Sequence, residues 1–418
     1  MDMSFGLDFG TTNSTLSVHS ESGVRLLDVD KGNEDNPKIL RSVLYFNPDK
    51  QVSFGREAIA NYIDEGGEGR FMRSIKAFLP NLSFTGTFVY GKMYKIEDLV
   101  SLILKTMKRR GEEQLGTSVD RVVIGRPVVF SEDAGKDKKA EDRLRRAAEL
   151  AGFKQISFQL EPIAAALEFE SSLPDDRERV VLVGDFGGGT SDFTIMKLRR
   201  GSTGRNRQKD ILALGGAYIG GDSFDSLLMW EKMARHFGRG VHYQNSEGKR
   251  VAFPPIILNN LRHWHTIPQL LERKTRQDLW QIKGKSDNPE AVANLERLVE
   301  SNSGFLLFQA IEEAKCELSS NSTATIAYEG IREVVTLEQF EDIISEKTEL
   351  VDHCVEEVLA KANLGSGDID QVFITGGSSK IPCIRRIFEG RFGAEKLREQ
   401  EAFTSVGYGL GVSAAMDF

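Results

Sequence analysis

Two short stretches carry residues whose types and spacing could do chemistry. Near the N-terminus, Leu7-Asp8-Phe9-Gly10 runs into Thr11-Thr12-Asn13-Ser14; close to mid-chain, Val183-Gly184-Asp185-Phe186 runs into Gly187-Gly188-Gly189-Thr190. Glycine and other small residues after a strand let backbone N–H groups close around an anion, so each turn reads as a nest for phosphate, with Thr11, Thr12 and Thr190 as hydroxyl donors. The carboxylates Asp8 and Asp185 would repel that phosphate unless a cation intervened. Magnesium resolves the conflict, because it is held by one or two carboxylates together with water and phosphate oxygens. One such turn could be a plain tight hairpin. Two copies, with a third strand-to-glycine turn at Gly376-Gly377, point instead to a Mg-nucleotide clamped between paired hairpins.

Other nucleotide motifs fail. Gly284-Lys285-Ser286 ends like a Walker A loop, but Leu279 stands where its first glycine must be, and Gly215-Gly216 with Gly220-Gly221 do not make G-x-G-x-x-G.

The elements that must position these turns follow from periodicity. Phe5–Gly10 and Thr15–Val18 read as strands, as does Val43–Phe46. Helices are predicted over about 97–113, 132–151 and 163–170, with strands at 121–125 and 156–160. The second half restarts with the strand Val180–Val183. A long amphipathic helix spans Leu337–Ala362, with Phe340, Ile343, Ile344, Leu350, Val351, Cys354, Val355, Val358 and Leu359 along one stripe. The strand Val372–Thr375 then leads to a helix near Pro382. Alternating strands and helices make the fold class α/β. Because each half opens on the same motif, the chain reads as two related lobes divided near Asp175–Arg179. From about 236 to 305 the pattern weakens, which marks an inserted subdomain holding Pro254-Pro255, Trp264 and Trp280.

Composition narrows the function further. The 418 residues carry a net charge of −8, with 40% hydrophobic and 28% charged residues, as in a soluble globular protein of two or three domains. The sequence pI near 5.5 argues against nucleic acid or an anionic membrane as the main partner. Nowhere do 18 apolar residues run together, and the first residues lack the basic and apolar regions of a signal peptide. Cys316, Cys354 and Cys383 are too few for a disulfide framework, so a reducing, cytoplasmic location is expected.

Several features have a plain structural reading. His263-Trp264-His265 lacks nearby Cys, Asp or Glu at ligand spacing. The basic runs Lys105–Arg110 and Lys136–Arg146 read as solvated helix faces, Cys354 as a packing residue, and the tryptophans of the insertion as the core of a small subdomain. Taken alone, Lys76 is a surface lysine.

As an ordered set, these motifs resemble the ATPase domain of the heat shock protein 70 (DnaK) chaperone family, and within it the short YegD-type members. Gly6–Ser14 resembles the first phosphate loop and Asp185–Asp192 the second. Ile75-Lys76 resembles the stretch with the catalytic lysine, and Glu161-Pro162-Ile163-Ala164-Ala165-Ala166 the segment with the active-site glutamate. Ala314–Ser320 and Gly376–Pro382 resemble the two adenosine-binding segments. Ile124-Gly125-Arg126-Pro127 and Ala151-Gly152-Phe153-Lys154 give the YegD character.

The resemblance implies an actin-like ATPase fold of two duplicated ribonuclease H-like lobes around a nucleotide cleft. Lobe I would span 1–178 and lobe II 179–392, with 393–418 packing back toward lobe I. It implies ATP or ADP with Mg²⁺ as cofactors, the metal on Asp8 and Asp185 through water. Lys76, Glu161, Thr190 and Asp192 would serve hydrolysis. Nucleotide contacts would come from Gly10, Thr11, Thr12, Asn13, Gly187, Gly188, Gly189, Thr190, Gly220, Gly221, Glu312, Lys315, Cys316, Ser319, Gly376, Gly377, Ser378 and Lys380.

There are departures from the family pattern. Val129 replaces a typical Tyr and Phe403 an Asp near the nucleotide, while Cys316 and Lys380 replace arginines that stack on adenine. The chain stops at Phe418, so the linker and peptide-binding domain of a full chaperone are expected to be missing, and isolated protein is not expected to protect unfolded clients. The expected function is a slowly hydrolysing ATPase, a chaperone-like switch and a monomer, acting on an unknown protein partner or client. An actin-like filament protein and a small-molecule kinase of the same fold are the alternatives.

Overall fold

In a computed structural model of the chain, the described residues are all except Met1, Asp2, Asp35, Glu132, Ser172, Pro174, 201–206, Trp264, His265, Pro268, Gln269, Leu271, 400–403 and Phe418. Trp264, His265 and Phe403, singled out above, therefore lie outside the described residues. The chain divides into two compact units: 1–62 with 69–221 and 349–418, and 63–68 with 222–348.

The first unit is built on two sheets with one plan. In the first, Ser4–Phe9, Asn13–Ser20 and Gly23–Leu26 form an antiparallel meander, and Arg121–Arg126 and Gln155–Leu160 join in parallel on the other side of Ser4–Phe9. In the second, Arg179–Phe186, Ser191–Leu198 and Ile211–Ala217 repeat the meander, and Gln371–Thr375 and Leu397–Glu399 join in parallel beside Arg179–Phe186. The strand that carries Asp8 and the strand that carries Asp185 thus hold the same central place. Phe5, Leu7 and Phe9, like Val181, Leu182 and Val183, are buried, as expected of central strands covered on both faces.

The helices follow their apolar stripes. Ile96–Leu115 buries Leu99, Val100, Ile103, Leu104 and Met107 and stops at Gly116 in the left-handed conformation. Ala134–Leu150 begins at Asp133, whose carboxylate accepts from the Gly135 and Lys136 amides. Leu337–Ala362 has the bounds its periodicity predicts. Cys354 packs inside, where burial pushes its thiol up to about 11. Leu350, placed on the same stripe by spacing, is instead exposed, because it sits at the edge of the buried face.

The basic runs are less solvated than their charge suggests. Lys108 is buried, pairs with Glu112 and lies 5.5 Å from the Phe153 ring. Arg143 is buried as well, under a loop whose carbonyls it serves. A helical net drawn from sequence shows the face but not the loop that covers it.

The C-terminal helix Ser405–Asp417 is apolar and small-residued on several sides because it is wedged between elements. Ser17 Oγ donates to the Gly407 carbonyl at 2.6 Å and Ser4 Oγ to the Ala414 carbonyl at 3.2 Å.

The second unit is mainly helical, with Arg273–Lys283, Pro289–Glu300 and Gly304–Glu317 accompanied by the hairpins His242–Gln244/Arg250–Ala252 and Thr323–Tyr328/Ile331–Thr336. Its core includes Leu279, Leu295, Leu298 and Phe308. Trp280 does not join it: at 71% exposure it faces solvent, while its neighbours Leu279 and Ile282 turn inward.

Candidate functional site

The two Asp-Phe-Gly turns meet. The first connects Phe9 to Asn13, and the second connects Phe186 to Ser191 with a Gly187 N–H to Thr190 carbonyl bond of 2.9 Å. A Cβ on Gly188 would lie 2.2 Å from Thr12 Oγ1, and one on Gly189 would lie 3.5 Å from Thr11 Oγ1. A Cβ on Gly220 would lie 2.5 Å from the Gly188 carbonyl carbon, and the Gly221 N–H donates to the Gly187 carbonyl at 3.2 Å. Only glycine lets the second turn and the Gly220 segment approach this closely, with the Thr11 and Thr12 hydroxyls of the first turn against them. The third turn joins them: Asp185 pairs with Thr375 in register, and Gly376, at φ +88°, would place a Cβ 2.1 Å from the Phe186 carbonyl oxygen.

Lys76 reaches the same place from far along the chain. It lies in the 3-10 turn Ile75–Phe78 and is buried, not at the surface, with its Nζ donating to Glu161 Oε1 at 2.6 Å. Glu161 is the first residue of helix Glu161–Ser171 and is buried too.

Four carboxylates share this one ammonium. Burial raises Asp8 to about 8, with Glu161 and Asp185 adding to the rise and Lys76 opposing it. Asp185 is pushed up to about 7 by burial and Glu161, and Asp192 to about 8 by burial, Glu161 and Asp185. Burial works against the Lys76 charge, yet Glu161, Asp8 and Asp185 hold its pKa above the ordinary value. Thr190 Oγ1 donates to Asp192 Oδ2 at 2.9 Å, which orients a hydroxyl of the second turn. The excess negative charge, beside turns rich in N–H donors, fits a divalent cation with phosphate. Among the described residues no group of three or more His, Cys, Asp or Glu could itself hold a metal. Phosphate and water would therefore have to supply much of a bound metal's coordination shell.

Gly10, Thr11, Thr12, Asn13, Gly187, Gly188, Gly189, Thr190, Gly220, Gly221, Gly376, Gly377, Ser378 and Lys380 all belong to the first unit, with Lys380 exposed. Glu312, Lys315, Cys316 and Ser319 lie in the second, at helical spacing on and just beyond Gly304–Glu317. Lys315 is buried against Asp225 at 2.7 Å, a partner the sequence reading missed. Its signal was an acidic residue one turn into the helix that begins at Gly221, and nothing local set it apart from Asp222.

A family profile described as "Hsp70 protein" matches residues 81–252 and 300–417. The match covers more than half of the chain, which therefore belongs to the heat shock protein 70 family, with that family's α/β, actin-like fold. It is 26% identical to the chaperone protein DnaK of Mycoplasmopsis agalactiae, over 98% of this chain and 58% of the relative. The chaperone protein DnaK of Thermosipho melanesiensis matches at 26% over 98% and 59%, and that of Halobacterium salinarum at 26% over 98% and 55%. The chain spans under three-fifths of the length of these curated relatives.

Proposed function

We propose that this chain binds Mg-ATP, hydrolyses it slowly and uses the nucleotide as a conformational switch. The observation that carries the reading is the buried Lys76–Glu161 pair beside two mutually contacting phosphate turns. Phosphoryl transfer to water asks mainly for positioning and charge neutralisation. The turn amides and the Thr11 and Thr12 hydroxyls would hold phosphate oxygens. Bound magnesium would supply the counter-charge, with Asp8 and Asp185 holding it through water. The Lys76 ammonium stabilises charge that develops on the transferred group, and Glu161 orients the attacking water and draws on its proton. Thr190 and Asp192 form a hydroxyl–carboxylate pair on the second turn for the same work.

The wider role follows from the relatives, which are chaperones. Lobes that respond to nucleotide would change affinity for a protein partner or client, since a ligand shifts only surfaces that differ between states. Within the family, Ile124–Pro127 and Ala151–Lys154 support a YegD-type assignment, and the three scattered cysteines support a cytoplasmic protein, which we take as a monomer. Among the described residues no helix is long and apolar enough to cross a membrane.

Calorimetric titration with Mg-ATP, Mg-ADP and Mg-GTP, followed by single-turnover hydrolysis, tests the proposal. Protein that binds none of the three sinks it. Transfer of phosphate to a sugar or acetate would favour the kinase reading, and ATP-dependent pelleting the filament.

A further inference from the structure

Helix Ala134–Leu150 carries a buried arginine that the nucleotide reading leaves without a role. Arg143 Nη1 donates to the carbonyls of Leu79 at 2.7 Å, Asn81 at 2.9 Å and Phe78 at 3.3 Å, and Nη2 donates to that of Phe84 at 3.2 Å. All four acceptors are main-chain oxygens in one short loop, and none is a carboxylate. A cation is buried at great cost unless its protons are accepted, so this loop is shaped around the guanidinium. The planar fork offers five N–H donors to such a curved row, which a lysine's single ammonium cannot match.

The loop begins where the Lys76 turn ends. Phe78 closes the turn Ile75–Phe78, and Leu79, its C-cap, returns its own N–H to the Lys76 carbonyl at 3.1 Å. Carbonyls at the end of a helical turn lack partners within the turn and form its negative end, where a cation is favoured. At its start the turn is entered through Ser74 at φ 52°, a conformation that a residue with a Cβ holds only when its surroundings impose it. Buried Ile75 and Leu79 fix one side, and the Phe78 and Phe84 rings, 4.8 Å apart, brace the loop on itself. Arg143 supplies the polar half of this support.

We infer that Arg143 is a positioning residue for Lys76: by gathering the carbonyls of 78–84 it holds the turn so that the ammonium stays on Glu161. The inference rests on the reading of Lys76 as the group that serves hydrolysis.

The test uses the full chain, with Arg143→Gln made in the wild type and in Lys76→Ala, and measures single-turnover ATP hydrolysis alongside Mg-ATP affinity. Displacing a catalytic group slightly costs up to about a hundredfold in rate. Arg143→Gln is therefore expected to slow hydrolysis about tenfold or more in the wild type, to leave Mg-ATP affinity within about twofold, and to slow Lys76→Ala no further. Arg143→Lys, which keeps the charge and loses the fork, should fall between, and it carries the same comparison if the glutamine variant does not fold. An equal rate loss in both backgrounds, or affinity falling together with rate, would make Arg143 a general prop and overturn the inference. If Lys76→Ala hydrolyses ATP as fast as wild type, the reading of Lys76 fails first and takes the inference with it. If Lys76→Ala is slow but Arg143→Gln is not, only the inference fails.

Discussion

Gly409 touches Ala164 backbone to backbone: a Cβ on Gly409 would lie 1.7 Å from the Ala164 carbonyl oxygen. The contact presses the C-terminal helix against the helix that begins with Glu161. Through Ser17 and Gly407, the same C-terminal helix also grips the hairpin that carries Asp8. Two site carboxylates are thus backed by one helix.

Gly409→Ala should consequently destabilise the protein by roughly 3 kcal/mol or more, because backbone, unlike a flexible side chain, cannot step aside. Gly407→Ala, which meets the Thr15 side chain first, should cost less. Gly284→Ala, with nothing within 4 Å, should stay within about 0.5 kcal/mol of wild type. Urea unfolding of the three variants checks the order.

Asp8→Asn and Asp185→Asn each remove a carboxylate from the proposed metal's surroundings. Mg-nucleotide affinity should drop about 10- to 100-fold, with little change in nucleotide affinity when magnesium is chelated. Calorimetry with and without chelator measures both, and wild-type affinity in both variants would refute the clamp.

Lys76→Ala and Glu161→Gln should separate binding from chemistry. Hydrolysis should fall about 10²- to 10⁴-fold while nucleotide still binds. Equal loss of binding and turnover would reassign the pair to holding the fold.

The crowded carboxylates also make the nucleotide-free protein sensitive to pH. Asp8, Asp185 and Asp192 start from 3.8 and rise to about 8, 7 and 8 on folding. A folded-state pKa above the unfolded one means the folded protein binds more protons. Stability from these groups is therefore full below pH 4, is lost progressively as pH rises from about 4 to 8, and changes no further above the folded-state values. The melting temperature should fall as pH rises from about 5 to 8 and level off above, and Asp185→Asn should flatten that slope. A melting curve that rises over the same interval would contradict the assignment.

Much of this was legible in the sequence because it is local. Strand alternation, helical stripes and the glycine turns depend on neighbours a few residues apart, so the hairpins around Asp8 and Asp185 and the helix Leu337–Ala362 could be placed by pattern alone. The recurrence of the Asp-Phe-Gly turn, on which the expectation of two related lobes rests, is a pattern of the same local kind. What only the tertiary structure decided is which charges are buried and against what. Lys76 and Glu161 pair across 85 positions, and Arg143 finds its acceptors about 60 positions away. Lys315 settles on Asp225, while Trp280 is left in solvent. Burial and pairing belong to the packing of distant elements, and a side chain's own type and spacing do not record which loop will come to lie over it.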